Sequence, residues 1–211
     1  MIKAVFEGAQ PFFPARRSLR VLREASRRCQ GCDLYLHATQ TVFGEGAASA
    51  RIVFVGEQPG NDEDLQGRPF VGPAGRILNR AIEEAGLDRS EVYVTNVVKH
   101  FRFEERGKRR IHKKPTTSEV TACEPWLEAE VALVKPQIIV CLGATAAQAL
   151  LGNQFRLTQQ RGTPIAHPWA EHVVATVHPS SILRAPDADR RHAEYARLVA
   201  DFKVVRSLLS A

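Results

Sequence analysis

Four short segments of this 211-residue chain gather side chains able to do chemistry. GEQPG at residues 56–60 sets a carboxylate, Glu57, beside an amide, Gln58. GRPFVGPAGR at residues 67–76 holds Phe70 between glycines and prolines, so its ring can present a flat apolar face to a ligand. KRRIHKK at residues 108–114 surrounds His112 with five cations, whose field disfavours imidazolium and keeps a neutral, nucleophilic nitrogen. HPSSILR at residues 178–184 offers His178, the hydroxyls of Ser180 and Ser181, and Arg184. None of the glycine spacings makes a phosphate-cradling or dinucleotide loop, and no Lys-Ser/Thr pair follows the first of them.

Cysteine use adds a second chemistry. Cys29 and Cys32 form a C-x2-C pair, and Cys123 and Cys141 follow after 90 further residues with 17 between them. In the cytosolic protein expected here, such thiols favour metal or redox chemistry over disulfides. Four thiolates suit tetrahedral zinc or a [4Fe–4S] cluster, and spacing alone does not separate the two. Burial of Cys123 and Cys141 as ordinary core residues is the competing reading.

The elements that must position these residues alternate. Apolar runs at residues 51–56, 92–95, 137–142 and 172–177 read as strands. Helices are expected at residues 74–85, with Gly86 as C-cap, at 118–134 with Ser118 as N-cap, at 144–151 and at 188–209. Residues 1–28 form a partly helical lead-in rich in arginine. This order predicts an α/β fold: one three-layer αβα domain over residues 1–211 with a central four-stranded parallel sheet. Functional loops of such a sheet gather at the carboxyl ends of its strands, where Glu57, Asn96, Gly143 and His178 all fall.

Charge narrows the partner. The net +6 equals the excess of residues 99–114 alone, where eight basic residues meet two acidic ones. A neutral body with one cationic segment points to a polyanion, with Lys108, Arg109, Arg110 and Lys113 facing its phosphates. No apolar stretch is long enough for a membrane span and the N-terminus lacks signal-peptide order, so a cytoplasmic protein is expected.

Taken together, GEQPG, GRPFVGPAGR, TNVVKHF, the cysteine spacing and HPSSILR resemble the iron–sulfur uracil-DNA glycosylases of family 4, over residues 29–209. Gln58, where that family usually carries alanine, and the KRRIHKK insertion resemble its UdgX subgroup, whose members become covalently attached to uracil-containing DNA. The resemblance implies the uracil-DNA glycosylase fold and a [4Fe–4S] cluster on Cys29, Cys32, Cys123 and Cys141, half of those ligands in a lead-in at residues 1–50. It implies uracil-containing DNA as substrate, single-stranded or double-stranded, and a monomeric enzyme that releases uracil. Phe70 would stack on the flipped base, Asn96 would read its O4/N3 edge, and His178 would donate to O2 of the departing base. Gln58, Ser180 and Arg184 would shape the pocket and hold the strand. His112 would attack C1′ with Glu57 assisting. A hydrolytic glycosylase with repeated turnover and a non-catalytic iron–sulfur DNA-binding module are the alternatives.

Overall fold

The computed structural model describes residues 6–209. Its elements run α1 (Leu19–Ser26), β1 (Glu45–Gly46), β2 (Ile52–Gly56), α2 (Asn61–Gln66), α3 (Pro73–Glu84), β3 (Val92–Asn96), β4 (Phe103–Arg106), β5 (Arg109–His112) and α4 (Thr117–Val134). They continue with β6 (Ile138–Leu142), α5 (Ala144–Leu151), α6 (Leu157–Gln160), β7 (Ile165–His167), β8 (Ala170–Thr176), α7 (Pro179–Leu183) and α8 (Ala188–Leu209). The four expected strands form a parallel core in the order β3-β2-β6-β8. Two short antiparallel strands, β1 beside β3 and β7 beside β8, cap the edges and make the sheet six-stranded.

Strands β2, β3 and β6 are buried at every residue, as a parallel sheet covered on both faces requires. On one face Val53, Val55, Ile139, Val173 and Ala175 pack against Leu22 of α1 and Trp126, Leu127 and Val131 of α4. On the other Ile52, Phe54, Val94, Val140 and Val174 pack against Leu78 and Ile82 of α3 and Leu198 and Phe202 of α8. Each such side chain removed from water contributes roughly 1.5–3 kcal/mol. That two-sided burial fixes where the strands end.

Two segments differ from the sequence expectation. The turn-rich stretch after β2 contains α2, whose start is held by Glu63: its carboxylate accepts from Gly60 N and Gly72 N, both at 3.0 Å. The basic stretch is an antiparallel hairpin, β4–β5, turning at Gly107 with φ +59°. The N-cap of α4 is Thr116 instead of Ser118, because Thr116 and Glu119 satisfy each other's backbone N–H groups in a capping box. No helix among the described residues is long and apolar enough to cross a membrane.

Candidate active site

The rim is built where β2, β3, β6 and β8 end. Gly56, the last residue of β2, is the floor: a Cβ there would lie 2.3 Å from Asn96 Oδ1 and 2.8 Å from Phe70 Cζ. Glycine alone lets the Asn96 amide and the Phe70 ring meet over the strand end. Asn96 is buried and pairs with Gly56 in register. Phe70 adopts a left-handed backbone at φ +55°, a costly conformation for an aromatic residue. Gly75 permits it, because a Cβ at that position would sit 1.7 Å from the Phe70 carbonyl oxygen. Strain held by close backbone packing aims the ring at the rim.

His178 follows β8 and faces Phe70, with ring centroids 6.1 Å apart and planes 27° from parallel. Its Nδ1 accepts from Ser180 N at 3.1 Å and lies 2.8 Å from Ser180 Oγ, which itself accepts from Arg184 at 3.0 Å. The serine proton therefore points at Nδ1, and a neutral ring carries its own proton on Nε2. Burial, reinforced by Arg184 and His112, holds His178 down to a pKa of about 4, so neutrality is assured at pH 7. The result is a fixed N–H donor at the strand end. Gly143, with φ +96°, makes room for it: a Cβ there would lie 3.2 Å from His178 Cβ.

His112 is held differently. It ends β5, and its position depends on Gln58, which lies almost fully buried at the base of the hairpin. Gln58 Oε1 accepts from Arg102 N at 2.9 Å, while Nε2 donates to the carbonyls of Arg102 at 3.2 Å and Lys113 at 3.0 Å. These bonds fix which end of the amide is NH2. The same Nε2 lies 2.9 Å from His112 Nε2, and since it has two hydrogens for three acceptors, one N–H is shared between a carbonyl and the imidazole; an amide nitrogen does not accept, so the ring nitrogen facing it is unprotonated. One amide thus ties together both strands of the hairpin and its histidine. Alanine would forfeit all of these bonds, which is the physical reason for glutamine at this position.

Glu57 Oε1 stands 3.5 Å from the same His112 nitrogen, and its other oxygen accepts from Thr145 Oγ1 at the start of α5. A carboxylate so placed stabilises positive charge arising on the ring. The His112 pKa is lowered first by burial and further by Arg184, with Glu57 opposing both. The direction agrees with the sequence expectation, but the leading causes differ: burial and Arg184 lower it, in place of the flanking lysines and arginines of the hairpin. Thr145 carried no signal in the sequence.

The cationic segment divides. Lys99 is fully buried, its ammonium bonded to Glu130 at 2.5 Å, Thr95 Oγ1 at 2.7 Å and Asn96 O at 2.6 Å. Arg102 pairs with Glu119 at 3.0 Å. Arg110, expected on a phosphate, instead points inward to Asp64 at 2.6 Å, Asn61 and Thr39, and lies over the rings of Phe101 and Phe103. In β5 Arg110 and His112, two residues apart, share a face of the strand, and the His112 side chain remains half exposed. Lys113, also expected on a phosphate, pairs with Glu104 at 2.5 Å. Lys108 and Arg109, at the hairpin tip, are exposed.

The cysteines also divide. Cys29, Cys32 and Cys123 act on one another electrostatically, whereas Cys141, in the middle of the sheet on β6, is influenced by burial alone. Cys141 therefore stands apart from the other three, against the expectation of a four-cysteine set. Backbone and indole N–H groups point at two of the grouped sulfurs: Lys99 N donates to Cys123 Sγ at 3.2 Å and Trp126 Nε1 to Cys29 Sγ at 3.3 Å. That donor pattern suits thiolates held on a metal or cluster, although no three His, Cys, Asp or Glu side chains among the described residues stand close enough to form a ready-made metal site. His100, buried and held neutral with a pKa of about 4, adjoins the Lys99 amide that donates to Cys123.

Residues 43–203 match the family model "Uracil DNA glycosylase superfamily". The chain is 40% identical to a type-4 uracil-DNA glycosylase of Thermotoga maritima, over 79% of this chain and 83% of that one. It is 37% identical to the type-4 enzyme of Archaeoglobus fulgidus, over 85% and 87%. A type-5 uracil-DNA glycosylase of Thermus thermophilus is 32% identical over 66% and 68%. With Asn96 and His178 at its strand ends and Phe70 reaching over them from the loop before α3, this chain belongs to the uracil DNA glycosylase superfamily.

Proposed function

We propose that this protein excises uracil from DNA and then remains bound to it through a covalent bond from His112 to C1′ of the emptied sugar. The observation that carries the capture step is the Gln58 amide, which holds an unprotonated His112 Nε2 beside Glu57 at the rim. A base must leave the stack to reach the strand ends, where Phe70 stacks on it and the Asn96 amide reads its O4/N3 edge. Cytosine presents the opposite donor pattern there, so the same amide orientation rejects it. As the C1′–N1 bond breaks, the electron pair leaves with uracil, and the fixed Nε2–H of His178 stabilises the charge growing on O2. Positive character develops on the sugar. The His112 Nε2 lone pair closes on C1′, Glu57 offsets the positive charge this leaves on the ring, and the Nδ1 proton passes to solvent. Gln58 keeps both N–H groups bonded when His112 Nε2 turns to C1′, because the one it shares with the imidazole also reaches a carbonyl.

Single-stranded DNA is the substrate most directly accommodated, because no partner strand must be parted, and duplex DNA is also expected to react. Every group invoked comes from one chain, so a monomer suffices. Cys29, Cys32 and Cys123 would hold a [4Fe–4S] cluster with His100 as the fourth donor in place of Cys141. The cluster would cross-link the end of α1, α4 and the exit of β3. Iron content tests the ligand set: Cys123→Ser and His100→Ala should lose the cluster, and Cys141→Ser should keep it. Loss of iron in Cys141→Ser would restore the four-cysteine set.

The function is tested by mixing protein with a uracil-bearing oligonucleotide and running denaturing electrophoresis. A band that survives detergent and heat, and disappears in His112→Ala while free uracil is still released, is expected. Abasic DNA without any shifted band would leave a turnover glycosylase. Absence of uracil release would leave only a DNA-binding module.

A further inference from the structure

The excess positive charge of the chain is not where residue counting puts it. Lys99, Arg102 and Arg110 of the basic segment are answered by Glu130, Glu119 and Asp64, acids contributed by other elements. Lys113 and Arg106 share Glu104. What the hairpin region offers to solvent without an acidic partner among the described residues is Lys108, Arg109 and Lys114.

The opposite holds at residues 16–28, which carry six arginines and one glutamate. Arg23 is used internally, donating to Gly44 O at 2.9 Å over the Phe43 ring. Arg27 pairs with Glu24 in the open, where such a pair is worth little. Arg16, Arg17, Arg20 and Arg28 are exposed and make no ion pair with a described residue, and Arg17 lies over Phe13. Helix α1 presents Leu22 and Ala25 to the core and leaves its arginine face to water.

Helix α1 packs on α4, the helix that follows the hairpin. Arg28 precedes Cys29, which lies within electrostatic reach of Cys123 on α4. Cys123 is six residues into α4, about 9 Å along the helix from its start at 1.5 Å per residue, and α4 begins directly after the hairpin. Eleven residues beyond Arg28, Thr39 bonds Arg110 of the hairpin. Arg28 thus lies toward the hairpin end of α4, and the face runs from there along α4, where Arg17 lies over Phe13 stacked on Trp126.

We infer that the exposed arginines of α1 and its lead, Arg16, Arg17, Arg20 and Arg28, form a second DNA-backbone surface that holds the strand flanking the uracil. The surface supplies sequence-independent affinity by displacing counterions, and guanidinium groups suit phosphate oxygens. The inference rests on the proposed reading only in taking DNA as the partner.

The test separates the two. Binding of uracil-free single-stranded DNA of about 20 nucleotides is measured by fluorescence anisotropy across a salt series, for the intact protein, for R16Q/R17Q/R20Q/R28Q and for K108Q/R109Q. The fourfold variant should weaken binding at low salt at least tenfold, and flatten the log–log salt slope by about 0.7 for each phosphate it no longer neutralises. The hairpin variant should flatten it less. R16K/R17K/R20K/R28K should retain the slope, since charge is what acts, and an unchanged thermal midpoint certifies folding. An unchanged affinity and slope in the fourfold glutamine variant would overturn the inference. On uracil-bearing DNA, the fourfold variant should react slowly with a 20-nucleotide strand and at the normal rate with a strand too short to reach α1; equal slowing on both would also overturn it. Failure of the intact protein to release uracil would refute the proposed activity while leaving the binding comparison decisive.

Discussion

The two imidazoles at the rim are held by opposite means. His178 sits at the end of a central strand, its tautomer set by a backbone N–H and a serine only two residues away. His112 sits on a two-stranded hairpin outside the sheet, and its partner, Gln58, is 54 residues distant. The first is rigid because the sheet is rigid. The second is placed by one buried amide and by Arg110, whose partner Asp64 is 46 residues away. On the proposed mechanism, recognition and bond breaking belong to the sheet, and capture belongs to an attachment clamped onto it.

That separation can be broken most severely at His178. His178→Ala should slow uracil release and attachment together by about 100- to 1,000-fold, the usual loss when a transition-state hydrogen-bond donor is removed. Release and attachment are followed in one quenched time course; attachment surviving the loss of release would refute the shared rim. Gln58→Ala should affect only the attachment, slowing it roughly 10- to 100-fold while uracil release stays within about threefold, because the hairpin loses bonds worth about 1 kcal/mol each. Equal effects on the two rates would mean that the hairpin takes part in bond breaking.

The rigid half can be tested through its strain. Gly75→Ala forces a methyl group against the Phe70 carbonyl, so it should destabilise the fold by about 1–3 kcal/mol and release the Phe70 ring. Chemical denaturation measures the first effect and weakened uracil binding the second. The smallest effect concerns pH. Both imidazoles titrate below the ordinary histidine range, His178 near 4, so neither rate should show an acid limb at pH 6.5. Glu57 pulls His112 back upward, whereas no acid does so for His178, so attachment should fail at higher pH than release. The unfolded chain binds the His178 proton near 6.5 and the native chain only near 4, so stability should fall as pH drops through that window.

Much of the rim was legible because its determinants are local. Runs such as IVFVG and IIVCL must be buried on both faces, and the polar residues that follow them are then forced to one edge. The hairpin was missed although RFEERGKRRIH contains it: the basic character of the stretch hid an alternating pattern around a Gly-Lys turn. Cys141 was grouped with the other cysteines because spacing does not report direction, and on β6 it belongs to the sheet interior.

The sequence by itself determined the parallel core, the rim residues Glu57, Asn96 and His178, and a basic character suited to DNA. Each follows from neighbours within a few residues. The tertiary structure alone decided which charges remain available, since Lys99, Arg102 and Arg110 find their acids 31, 17 and 46 residues away. A formal count adds every ionised side chain with equal weight, but a buried cation must be paired at close range or it cannot be buried at all. Folding therefore commits Lys99, Arg102 and Arg110 to buried acids and leaves the α1 arginines facing water.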